Sequence, residues 1–174
     1  MALVLDGNGS MTVGNGDITG INTGALPSTF IGAGALLQTF NTTIPETSLT
    51  NATTTTMFNV SFAPKVAGSI IVGFVNWNSV TGVAGTNSNN INYAYYYLGT
   101  SSTPASNSLI QTTTLQHLGT DNDDNLSHLH IFRGVTDSTA THYISGRIFN
   151  NSSSSIAICR HSNTGPVIFF EIAP

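Results

Sequence analysis

From about residue 36 the chain alternates apolar and polar positions with a period of two. Phe58, Val60 and Phe62 share one face and leave Asn59 and Ser61 on the other. Strand-like segments recur at 36–44, 69–77, 91–98, 109–118, 127–135, 141–149, 155–161 and 166–172, parted by Gly, Pro, Asn and Ser clusters. This rhythm predicts an all-β sandwich of eight to nine strands, and eight strands in two sheets make a jelly roll. No window carries a helical period, and the abundance of β-branched residues disfavours helices.

Two strands are apolar on both faces. Between Ser69 and Trp77 one face carries Ile70, Val72 and Phe74, and the other Ile71, Val75 and Trp77. The segment Val167-Ile168-Phe169-Phe170-Glu171-Ile172 repeats the pattern. A sandwich strand facing water on one side is polar there. These strands therefore predict a second buried surface, formed by a subunit contact, by a covering loop or by the chain's own arm. Tyr93-Ala-Tyr-Tyr-Tyr97 adds a row of tyrosines, suited to an interface, to a sugar-binding surface or to an edge strand beside the core.

Residues 1–35 break the pattern. Turn-forming pairs such as Asp6-Gly7, Asn8-Gly9 and Asn15-Gly16 separate short apolar pieces that cannot build a core alone. The segment reads as an arm that docks on a partner through Leu3, Leu5, Val13 and Ile18, followed by a sandwich domain over 36–174. The start has no basic n-region and too short an apolar stretch for a signal peptide.

Composition narrows the function. Among 174 residues there are four Lys and Arg, eight Asp and Glu, and a net charge of −4. An ordinary domain is about one quarter charged. Here 25 Thr, 19 Ser and 18 Asn supply the polar surface instead. A phosphate-neutralising nucleic-acid face has no residues to be built from. No apolar run reaches the ~18 residues of a membrane helix. The single Cys159 excludes an internal disulfide and reads as a small buried hydrophobe.

Catalytic patterns are missing too. Neither a nucleophile elbow nor a phosphate-binding glycine loop occurs. The turn Asp121-Asn-Asp-Asp-Asn125 has alternating oxygen ligands, but Leu126 and Phe132 stand where a calcium loop needs Gly and Glu. The most specific feature is His128-Leu129-His130. On a strand, Leu129 and Ile131 would face the core, leaving His128, His130 and Phe132 on the other side. On a threefold axis three such pairs would gather six imidazoles, an octahedral set. The plainer reading is a pair of surface or interface histidines without metal. No cofactor is expected.

Leu3-Val-Leu-Asp-Gly7 and Gly16-Asp-Ile-Thr-Gly20, then Leu36-Leu-Gln-Thr-Phe40 and the closing Phe170-Glu-Ile-Ala-Pro174, resemble bacteriophage virion proteins, those of cyanophages in particular. The resemblance covers nearly the whole chain through short motifs. It implies a jelly-roll head of the tumour-necrosis-factor/C1q type that assembles as a homotrimer. It also implies a non-enzymatic place in the virion, as a tail or head appendage docked by the arm or as a capsid decoration protein. The expected partners are further copies of the chain, other virion proteins and a host surface glycan met by loops 79–90, 99–108 and 119–126. A free lectin-like module is the alternative. Nucleic acid and membrane are not expected partners. The expected subunit contacts are Phe74, Trp77, His128, His130, Phe132 and Phe170. A long repetitive shaft is missing between arm and head, so the expected object is a short knob.

Overall fold

A computed structural model describes residues 4–5, 11–12, 33–80, 90–117, 126–151, 156–159 and 164–174. The chain divides into two compact units, Met1–Ile31 and Gly32–Pro174. In the first, strands β1 (Val4–Leu5) and β2 (Met11–Thr12) pair antiparallel. The arm positions Leu3, Val13 and Ile18, and the acidic turn 121–125, lie outside the described residues. The side chain of Leu5 lies outside them too.

The second unit contains β3 (Leu36–Ile44), β4 (Thr47–Leu49), β5 (Thr54–Phe62), β6 (Ile70–Val80) and β7 (Asn90–Gly99). There follow β8 (Ser108–His117), β9 (Leu126–Val135), β10 (His142–Phe149), β11 (Ile156–Ile158) and β12 (Gly165–Ile172). A 3-10 turn, Pro104–Ser106, lies between β7 and β8. Among the described residues no helix is long and apolar enough to cross a membrane. One four-stranded sheet has the order β3-β12-β6-β9 and the other β5-β10-β7-β8, with β4 and β11 as a small side pair. All pairings are antiparallel. Counting the eight long strands along the chain, the sheets take the first, eighth, third and sixth, and the second, seventh, fourth and fifth. That interleaving is the jelly roll.

An aromatic core fills the space between the sheets. Phe40 stacks on Phe62 and on Phe169, each with centroids 4.8 Å apart, and Tyr96 stacks on Phe132 at 4.4 Å. Two glycines are required by these rings. Gly73 pairs in register with Phe132, and a Cβ there would sit 2.1 Å from the ring. Gly146 pairs with Phe58, with 2.3 Å left for a Cβ. Each ring therefore lies flat over the bare backbone opposite it, which fixes the register locally.

Glu171 is wholly buried at one end of the core. It accepts hydrogen bonds from the Lys65 amide and the Gln38 side chain. This carboxylate holds the turn after β5 against β12. Cys159 is buried, donates its amide to the Asn78 carbonyl, and sits at a positive φ of 56°. Burial pushes its thiol upward.

Candidate functional site

The histidine pair is placed differently from the expectation. Leu129 and Ile131 point to solvent, 64% and 53% exposed, while His130 and Phe132 are buried between the sheets. Trp77 is also wholly buried there. Trp77, His130 and Phe132 are thus core residues and not subunit contacts. His128 is half-buried on the same inward register. The alternation was right and its polarity reversed, because the more apolar face, with Leu129, Ile131 and Val135, is the one turned outward.

His130 completes a polar network inside the core. Its Nδ1 lies 2.8 Å from both the Tyr96 and the Thr113 hydroxyl, and 3.1 Å from Trp77 Nε1. Trp77 Nε1 is also 3.0 Å from the Tyr96 oxygen. An indole N–H can only donate. Trp77 therefore donates to the imidazole or to the tyrosine, and the directions of the Tyr96 and Thr113 contacts follow the histidine tautomer. Burial is the main cause that brings His130 down to about 4, and the neighbouring His128 adds to it. Burial also pushes the Tyr96 phenol above its usual range. A general base works best with a pKa near the operating pH. This network is neutral near pH 7 and ties β6, β7, β8 and β9 together across the sandwich. The sequence showed the His-x-His motif but not its partners, which come from three other strands.

The outer face of the β3-β12-β6-β9 sheet is apolar across β12, β6 and β9, while β3 sets Thr39 beside Phe170 and Asn41 beside Ile168. In register, Ile131 lies beside Phe74 and Phe74 beside Ile168. The next row runs Arg133, Val72, Phe170, and the one after Val135, Ile70, Ile172, Leu36. Phe74 and Phe170 meet edge to face at 5.7 Å. Leu36, Leu129, Ile131, Val135 and Ile168 are between 43% and 64% exposed. Of the six expected contact residues, this face holds only Phe74 and Phe170.

The opposite outer face has another chemistry. Strand β7 is central, between β10 and β8, and not an edge. Ala94, Tyr96 and Leu98 point inward, and Tyr93, Tyr95 and Tyr97 outward, each half-buried. Tyr93 and Tyr95 stack at 6.4 Å, and the Arg147 guanidinium carbon lies 5.9 Å from the Tyr97 ring centre.

A cleft of about 290 Å³ opens at the β7–β8 end, lined among others by Ser101, Asn107, Ile110, Val135, Asp137 and His142. Buried His142 sets Nε2 2.9 Å from the exposed Asp137 carboxylate and Nδ1 2.7 Å from the Ala140 carbonyl. The His142 hydrogen bond holds the Asp137 carboxyl below its ordinary value. Of the three loops expected to meet a receptor, 99–108 lines this cleft, while 81–89 and 118–125 lie outside the described residues. Among the described residues no three His, Cys, Asp or Glu side chains are grouped to hold a metal ion.

No protein-family profile and no curated protein matches the chain. Solved structures are similar to it in part. One is of the infectious bursal disease virus Gt strain, at 16% identity and TM-score 0.40, over 79% of this chain and 38% of that one. Another is dimeric latent PorU from Porphyromonas gingivalis, at 8% identity and TM-score 0.43, over 82% of this chain and 14% of that one. A third is TmCBM61 in complex with beta-1,4-galactotriose, at 9% identity and TM-score 0.33, over 73% and 69%. The chain thus spans about two fifths of the viral chain. These likenesses are distant, and the jelly-roll assignment rests on the strand order above.

Proposed function

We propose that this protein is a non-enzymatic virion structural protein, a short knob that assembles as a homotrimer through the outer face of the β3-β12-β6-β9 sheet. The observation that carries the reading is that face. Three cross-strand rows of Ile, Val, Leu and Phe stand open or half-open over β12, β6 and β9, interrupted there by Arg133 and bordered on β3 by Thr39 and Asn41. An apolar patch of more than a few hundred Å² is uncommon on a monomer and marks an interaction site. The polar surface elsewhere, made of hydroxyls and amides with few charges, suits a protein that packs against copies and neighbours rather than one that moves protons. The short motifs at both ends support the virion setting, with the arm as the docking element. Decoration of a capsid uses the same two elements, a gripping arm and a self-associating head.

Light scattering on the purified chain tests this. A mass near three subunits is expected, and Phe74→Asp should bring it down to one, because a carboxylate would be buried against aliphatic side chains. A monomeric parent protein, or a Phe74→Asp variant of unchanged mass and melting temperature, overturns the assignment of this face.

A further inference from the structure

The tyrosine face is separate from the apolar one and carries different chemistry. Three rows cross it. Tyr97 pairs with Ser145 and Ser145 with Asn59; Tyr95 with Arg147 and Arg147 with Thr56; Tyr93 with Phe149 and Phe149 with Thr54. On the far side Thr112 stands beside Tyr95 and Thr114 beside Tyr93. The result is an aromatic ridge bordered by exposed Thr54, Thr56, Asn59, Thr112 and Thr114.

Arg147 is the only charged residue in these rows, and no carboxylate stands in register with it. Its Nε is buried without a hydrogen-bond partner. Its guanidinium carbon lies 5.9 Å from the Tyr97 ring centre, which sets a cation beside the tyrosine row. A guanidinium binds a carboxylate through two parallel N–H donors. Tyrosine rings offer flat apolar faces with polar tips, and the bordering hydroxyls and amide supply neutral hydrogen bonds. One cation is too few for a polyphosphate track. The combination of flat rings, neutral hydroxyls and one guanidinium beside the rings matches a sugar chain bearing carboxylates.

We propose that the outer face of the β5-β10-β7-β8 sheet is a platform for an acidic glycan, with Tyr93 and Tyr95 stacking on sugar rings and Arg147 receiving a carboxylate. This deepens the glycan-contacting side of the function above and places it on a sheet face instead of on the loops. It rests on that reading only for the biological setting.

The test is calorimetric titration of the full chain with a galacturonic acid hexamer and with a neutral galactose hexamer. The acidic hexamer should bind, more weakly as salt rises, and the neutral one should bind less tightly. Arg147→Gln and Tyr95→Ser should each weaken binding about tenfold, and Arg147→Lys should fall between. Should a variant fold poorly, amide shift mapping on the parent protein serves instead. The acidic hexamer should then perturb residues 93–97, 112–114 and 145–149. No heat with the acidic hexamer, equal binding by Arg147→Gln, or perturbed amides confined to the 99–108 loop would each overturn the platform. So would a lower solution mass of Arg147→Gln, which would make this face a subunit contact. A monomeric parent that still binds the acidic hexamer would overturn the trimer and leave the platform standing.

Discussion

Acidification should destabilise this protein through a single interior side chain. His130 is hydrogen-bonded in the core and is neutral when folded near pH 7, with its pKa lowered from 6.5 to about 4. Unfolding restores the ordinary value. The unfolded chain therefore binds the extra proton more readily, and stability rises with pH between the two values. The contribution is complete above about pH 6.5 and is lost progressively as the pH falls toward 4. The interval from 6.5 to about 4, at 1.36 kcal/mol per pH unit, sets an upper bound of about 3.4 kcal/mol, and solvent screening of the ring lowers what is realised. For a domain of ordinary stability, 5–15 kcal/mol in all by rough measure, this is a large fraction. Urea unfolding followed by Trp77 fluorescence at pH 7.5, 6.5, 5.5 and 4.5 measures it, with the indole reporting directly because it touches His130. His130→Gln keeps a side chain able to hydrogen-bond Tyr96 and Trp77 but cannot titrate. It should be less stable at pH 7.5 and nearly flat down to pH 4.5. If His130→Gln shows the same slope as the parent protein, the pH dependence comes from elsewhere and the account of the core network is wrong.

Gly73→Ala should cost about 1–3 kcal/mol, because its methyl group would meet the Phe132 ring in a filled core; chemical denaturation of the variant checks it, and an unchanged midpoint would show that the ring can move aside. Removing residues 1–31 should leave the melting temperature and solution mass of the head unchanged while abolishing incorporation into particles, scored by immunoblot of purified virions. Normal incorporation of the truncated chain would remove the docking role from the arm.

How much of this was legible in the sequence differs from strand to strand. The segments read at 36–44, 69–77, 91–98, 109–118, 127–135, 141–149 and 166–172 correspond to β3, β6, β7, β8, β9, β10 and β12 within a few residues. Period-two alternation is a local property of the backbone, so it survives without knowledge of the partners. The two-faced apolar character of β6 and β12 was equally local, and it marked Phe74 and Phe170 before any fold was known.

Which face turns inward is not a local property. In β9 the alternation grouped His128, His130 and Phe132 correctly, and hydropathy then sent Leu129 and Ile131 into the core. The structure reverses this because Phe132 needs the bare backbone of Gly73 beneath it, and His130 needs Tyr96, Thr113 and Trp77 around it. Those partners sit on other strands, 17 to 53 positions away for the hydrogen bonds. Likewise the tyrosines at 93, 95 and 97 formed a visible stripe, but Arg147 reached them only through the antiparallel register of β10 with β7. The chain by itself determined the strands, the pairs of faces and the scarcity of charge, since these follow from neighbours in sequence. Only the tertiary structure decided which face is buried and which residues meet, because packing a histidine, a glycine or an arginine depends on side chains brought in by distant strands.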